Sequence, residues 1–191
     1  MSTQNMSTFR WVVGIDPGVT GGIARIDRHV QSLEMWPMPD TARGVAQVLH
    51  GVHYRDTLFV LEKVHSGAFS AGKDRCPVCK KPRRQQGVKS AFTFGEGFGV
   101  LQGALHMLFT EMPEPPIRLV LPKQWQTDLN CLTGGDKKIS HAFAQKLAES
   151  IPQTEYHTGR GKMTQAICEG FLVAEWGRRT FLQEVDSVPT F

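Results

Sequence analysis

The sequence predicts an α/β domain with helices layered on a mixed sheet. Three observations lead there. Short runs rich in β-branched residues crowd the first 36 positions, joined by turn-length connections. Two further runs, "LFVLE" and "IRLVLP", are almost wholly apolar and stand apart from them. Segments of helical spacing separate and follow those two runs. The chain has 191 residues, 40% hydrophobic and 21% charged, which suits one domain with a real core.

Each element follows from local pattern. Phe9 to Ile15 alternates and reads as a strand. A Pro-Gly turn leads to a second strand, Gly21 to Ile26, and Val30 to Trp36 forms a third. Their short links predict an antiparallel meander. Thr41 to Leu49 has helical spacing. Leu58 to Glu62 suits a central strand buried on both faces. A helix is expected from Ser90 to Phe109, and Pro122 ends the short buried strand "IRLVLP". "GGDKKISHAFAQKLAESIP" has a helix start at Gly135 and Asp136 and stops before Pro152. A last helix spans Thr164 to Phe181. The expected organisation is a flexible N-terminus over 1–8, one domain over 9–182 with an insertion at about 66–88, and a tail over 183–191.

No stretch approaches the roughly 18 apolar residues of a membrane span, and Met1 to Arg10 lacks the apolar core of a signal peptide. A cytoplasmic location is expected. The four cysteines then read as thiols or metal ligands rather than disulfides. Net charge is +4, but it is not spread evenly. Lys73, Arg75, Lys80, Lys81, Arg83, Arg84 and Lys89 face a single acid, Asp74, giving this segment +6 and the remaining chain −2. Such a segment is either a solvated loop or a contact for a polyanion such as nucleic-acid phosphate.

Three acids stand out. Asp16 ends the first strand, Glu62 ends the strand after the first helix, and Glu169 sits among apolar neighbours on the last helix. Singly, each reads as a cap, a salt bridge or a solvated end. Together they could form a carboxylate cluster, which stays ionised only beside a cation. Oxygen donors favour Mg²⁺ or Mn²⁺. Two such ions about 3.5–4 Å apart can activate water against a phosphodiester.

The stretches "VVGIDPGVTGGIA", "FVLEKVHS", "KSAFTFGEGFGVLQGAL", "LPKQWQTDL", "GGDKKISHAFAQKLAESIP" and "AICEGFLVAEWGRR", in this order, cover most of residues 9–180. In them the chain resembles the compact RuvC-like Holliday junction resolvases, phage and bacterial, of the RNase H-like superfamily. The resemblance implies an RNase H-like fold with five strands, three antiparallel and then two parallel. It also implies a homodimer and Mg²⁺-dependent cutting of four-way DNA junctions by symmetric paired nicks. By motif position Asp16, Glu62 and Glu169 are the implied metal ligands, and Lys137 is a basic position beside the scissile phosphate. Phe69 matches an aromatic near the junction centre. Lys138, Arg160 and Lys162 join the basic loop residues as expected DNA contacts.

Two departures matter. Many relatives carry a further acid three to five residues before the helical one, where this chain has Thr164, Gln165 and Ala166. Gln165, through a water, or His157 from the preceding loop stand as substitutes, and a binding-only descendant is the alternative reading. The insertion "CPVCKKPRRQQ" holds Cys76 and Cys79, half a zinc site, which His65 or a partner's cysteine pair could complete. Two reduced thiols are the plainer reading.

Phe92, Phe94 and Phe98 read as core at helical spacing. Gly95, Gly97, Gly99 and Gly103 on the same segment suggest close approach to a dimer partner or to DNA. "GIDPGVTGG" also resembles the first phosphate loop of actin- and sugar-kinase-like ATPases, but no second phosphate loop is evident and those proteins need two such domains. A nuclease for another branched or hybrid substrate stays open, since the fold does not choose the substrate.

Overall fold

The computed structural model describes residues 8–52, 54–63, 88–132 and 136–182, with the backbone alone for 88–90. The meander forms as expected: β1 (Trp11–Asp16), β2 (Gly22–Asp27) and β3 (Ser32–Pro37) pair antiparallel, with Val13 opposite Arg25 and Ala24 opposite Met35. Next comes α1 (Ala42–Gly51), whose N-cap Thr41 accepts a hydrogen bond from the Gly44 amide at 3.1 Å. A 3₁₀ turn, Tyr54–Asp56, leads into β4 (Thr57–Glu62), parallel to β1 and buried at all six positions.

Helix α2 (Val88–Leu108) crosses back to β5 (Ile117–Val120), parallel to β4. Then follow α3 (Pro122–Asp128) and α4 (Lys137–Glu149), the latter capped by Asp136. Strand β6 (Gln153–Tyr156) precedes α5 (Gln165–Gly177), which widens into a π-type turn over Arg178–Leu182. There Glu175, buried, holds both Arg178 at 2.8 Å and Arg179 at 2.6 Å.

The sheet order is β5-β4-β1-β2-β3-β6. The mixed sheet and its flanking helices are as expected, but there are six strands, not five. The sixth, β6, pairs parallel with β3, with Leu33 opposite Thr154. Its four residues, Gln-Thr-Glu-Tyr, carry no apolar run, because an edge strand with one partner needs none. The short α3 was also unforeseen, since Pro122 served equally as a strand stop and as a helix first turn. β5 lies at the other edge rather than buried, with Leu119 45% exposed.

Strand alternation divides the core in two. Val12, Leu58 and Val60 face α5, together with Ala24, Phe171 and Leu172. Val13, Ile15, Phe59 and Leu61 face α1 and α2, together with Leu49, Leu101 and Leu105. The expected aromatic core on α2 is only partly present. Phe98 packs against the second cluster, but Phe92 is 74% exposed. Phe92 stands six positions from Phe98, so on a helix with 3.6 residues per turn it turns away from the sheet.

Candidate active site

The alternation that builds the core also aims the acids. Val12, Gly14 and Asp16 share one face of β1, and Leu58, Val60 and Glu62 share the same face of β4. Parallel pairing sets Gly14 beside Val60, so both strands end with a carboxylate toward the α5 layer. Glu169, in the first turns of α5, comes to the same place and is itself buried.

Glycines permit this approach. A β-carbon on Gly14 would fall 2.1 Å from the Ala174 amide nitrogen and 2.3 Å from the Gly170 carbonyl. One on Gly170 would meet the Gly22 carbonyl at 2.4 Å. Any side chain at these positions would push α5 off the sheet and carry Glu169 with it. Nothing local in the sequence marks Gly14 or Gly170 for this role.

Each carboxylate has a distinct partner. Asp16 Oδ1 accepts from the Gly18 amide at 3.3 Å. Glu62 Oε2 accepts from the indole N–H of fully buried Trp125 at 2.6 Å. Glu169 Oε2 pairs with Lys137 Nζ at 3.0 Å. Burial, then the charge of Glu169, pushes the Asp16 carboxyl up to about 6. Burial, then the charge of Asp16, pushes Glu62 to about 7, against the pull of the Trp125 hydrogen bond. Burial works against the charge on Lys137. The Glu169 hydrogen bond and the Glu169 and Asp16 charges outweigh it, so the ammonium is held above its ordinary value. Neighbouring Cys168 is pushed up to about 12 by burial and Glu169, so this thiol stays protonated.

The donor set fits a hard divalent cation: three carboxylates from three elements, two of them raised by burial and by neighbouring carboxylate charge. They do not close on a single point. Among the described residues, the one trio of His, Cys, Asp or Glu with all ligand atoms within 4.8 Å of one another is Glu34, Glu155 and His157. That trio lies on the β3–β6 edge and is already compensated. Arg25 bonds Glu34, and His157 lies 3.7 Å from Glu34 and 3.6 Å from Glu155. The His157 ring stacks on Trp36 with centroids 4.6 Å apart. His157 is therefore occupied at this edge and does not replace the missing acid. Gln165 does stand near the site, where its side-chain amide donates to the Lys137 carbonyl at 2.9 Å. It thereby ties the start of α5 to the start of α4.

Of the other expected contacts, Lys138, Arg160 and Lys162 are exposed, and Lys89 lies in the first turn of α2. His65, Phe69, Lys73, Arg75, Cys76, Cys79, Lys80, Lys81, Arg83 and Arg84 lie outside the described residues, as do the N-terminal segment 1–7 and the tail 183–191. The glycines of α2 are open: a β-carbon on Gly95, Gly97, Gly99 or Gly103 would meet nothing within 4 Å among the described residues. Trp125, whose indole N–H holds Glu62, is the site residue that the sequence did not mark. Its signal was a tryptophan one turn beyond the strand-ending Pro122.

No family model matches the chain, and no curated protein is similar to it. Among solved structures, the crystal structure of the yeast mitochondrial Holliday junction resolvase Ydc2 aligns over 94% of this chain and 84% of that chain. The identity is 9% and the TM-score 0.49. No described helix is long and apolar enough to cross a membrane.

Proposed function

We propose that this protein is a divalent-metal-dependent endonuclease that cuts four-way DNA junctions by paired symmetric nicks, acting as a homodimer in the cytoplasm. One observation carries the reading: Asp16, Glu62 and Glu169, from two adjacent strand ends and a helix, stand close enough that carboxylate charge raises Asp16 and Glu62, and among the described residues Lys137 is the cation beside them. When bound, two Mg²⁺ or Mn²⁺ ions would activate water and offset charge on the leaving oxygen.

The chain's own residues do the rest. Asp16, Glu62 and Glu169 are the ligands. Trp125 fixes the Glu62 carboxylate, so that it is aimed before metal arrives. Lys137 holds Glu169 and offers its ammonium to a phosphate oxygen of the scissile group. The oxygen of the attacking water bonds to phosphorus as the P–O3′ bond breaks, and a proton from water ends on O3′, leaving a 3′-hydroxyl on one side and a 5′-phosphate on the other. Two symmetric subunits supply the paired nicks. The open glycines of α2 are compatible with a second copy or DNA lying close to that helix.

A second reading has its own support. Gln165 stands in the window where relatives carry a fourth acid, and its amide is bonded to a carbonyl. A chain that binds branched DNA without cutting it would fit that difference. The test is incubation with a labelled mobile four-way junction, a linear duplex and a Y-fork in Mg²⁺, Mn²⁺ or EDTA, with Asp16→Asn alongside. Symmetric nicks in the junction alone, lost in EDTA and in the variant, are expected. Tight binding without nicks in either metal favours the second reading.

A further inference from the structure

A cleft of about 390 Å³ opens on the other side of the turn that follows Asp16. It lies between that turn, the β3–α1 connection and the first turns of α2. Its volume falls within the roughly 300–1,000 Å³ of small-ligand pockets. Pro17 and Val19 form one wall, and buried Val45 and Leu101 contribute an apolar floor. Phe94 supplies an aromatic face. The polar residues lining it are Asp40, Thr41, Thr93 and Glu96. No lysine or arginine lines it among the described residues.

This chemistry selects an occupant. Among the described residues two acids and no cation line the cleft, a lining that disfavours the phosphates of the DNA backbone. An aromatic ring beside an apolar floor suits the flat face of a nucleobase. Carboxylates accept hydrogen bonds from exocyclic amines, as Asp and Glu do from cytosine N4. Thymine has no such amine. The turn that walls the cleft also positions the catalytic group, since the Gly18 amide donates to Asp16 Oδ1.

Resting on the nuclease reading, we infer that this cleft takes an unstacked, amine-bearing base (adenine, cytosine or guanine) from the strand being cut. Phe94 stacks on it, and Asp40 and Glu96 accept its amine. The base lies close to the scissile phosphate in sequence, so the cleft sets where along a mobile junction the strand is nicked. Asp40 and Glu96 are exposed, so their amide variants keep the fold.

The experiment uses the full chain with mobile junctions randomised around the branch, cut positions being read by sequencing. Wild type is expected to avoid thymine by about tenfold at one position beside the nick, the discrimination of a single well-placed base contact. The Asp40→Asn, Glu96→Gln double variant is expected to lose or invert that avoidance. Nicking by both proteins with the same base distribution overturns the inference and leaves the nuclease reading standing. If wild type binds the junction without nicking, the nuclease reading fails instead. The cleft is then judged by 2-aminopurine placed beside the branch. Brightening on binding that Phe94→Ala abolishes supports a base pocket, and no brightening in wild type overturns it.

Discussion

Trp125 donates its indole N–H to Glu62 across 2.6 Å, although 63 positions separate them. The bond is buried and charge-assisted, the kind that orients a carboxylate rather than only stabilising it. Trp125→Phe keeps an aromatic ring and removes the donor. Without it the Glu62 carboxyl titrates higher still and rotates more freely. The variant is expected to need about 10–100-fold more Mg²⁺ for half-maximal nicking, as for other residues that orient metal ligands. A Mg²⁺ titration checks this, with circular dichroism confirming the fold. An unchanged Mg²⁺ requirement would show that Trp125 only packs.

The raised carboxyls make stability depend on pH. Asp16 and Glu62 titrate at about 6 and about 7 in the folded chain, above their ordinary values near 3.9 and 4.3. Between pH 4 and 7 the folded chain therefore binds more protons than the unfolded one. The contribution of these two groups to the stability of metal-free protein falls as pH rises through that window and levels off above it. Asp16→Asn removes its share of the slope. It is expected to raise the metal-free melting temperature at pH 8 by a few degrees, from about 1–3 kcal/mol. Mg²⁺ should stabilise wild type at pH 8 far more than at pH 5, and thermal melts in EDTA and in Mg²⁺ test both statements.

Lys137 Nζ lies 3.0 Å from Glu169 and is 60% exposed, so its contribution to stability is small. Its contribution to chemistry is expected to be large. Lys137→Met should cut the single-turnover nicking rate at least about 100-fold, the scale of losing one preorganised charge contact. Junction affinity and melting temperature should change little. Loss of rate and affinity in equal measure would make Lys137 a DNA contact instead.

Two glycines give opposite outcomes for the same substitution. Gly170→Ala forces a β-carbon to within 2.4 Å of the Gly22 carbonyl. It is expected to destabilise the chain by about 3 kcal/mol or more and to abolish nicking, because α5 and Glu169 must move. Gly99→Ala on α2 meets nothing within 4 Å among the described residues. As a helix-interior replacement it should stabilise a subunit by roughly 0.5–1 kcal/mol. Denaturant melts of both variants decide this.

Much of this was legible along the chain. Strand and helix periods are local, so β1 to β5, α1, α2, α4 and α5 could be read from spacing and caps. The period of two also put Asp16 and Glu62 at matching strand ends, each with its apolar neighbours on known faces. The sixth strand was not legible, because β6 owes its structure to pairing with β3 and not to its own composition. His157 looked available from its position near α5, yet stacking on Trp36 holds it at the far edge of the sheet.

What the sequence alone determined is the set of acids, the elements with a period or cap of their own and the concentration of positive charge between Lys73 and Lys89. What only the tertiary structure decided is the meeting of parts distant in the chain. Those are Glu169 brought to Asp16 over the contact of Gly14 and Gly170, Trp125 on Glu62, and the cleft behind Pro17. The physical reason is that periodicity fixes which face a side chain occupies. The distance between two faces depends on how closely backbones can pack, and here glycines with no β-carbon allow that closeness.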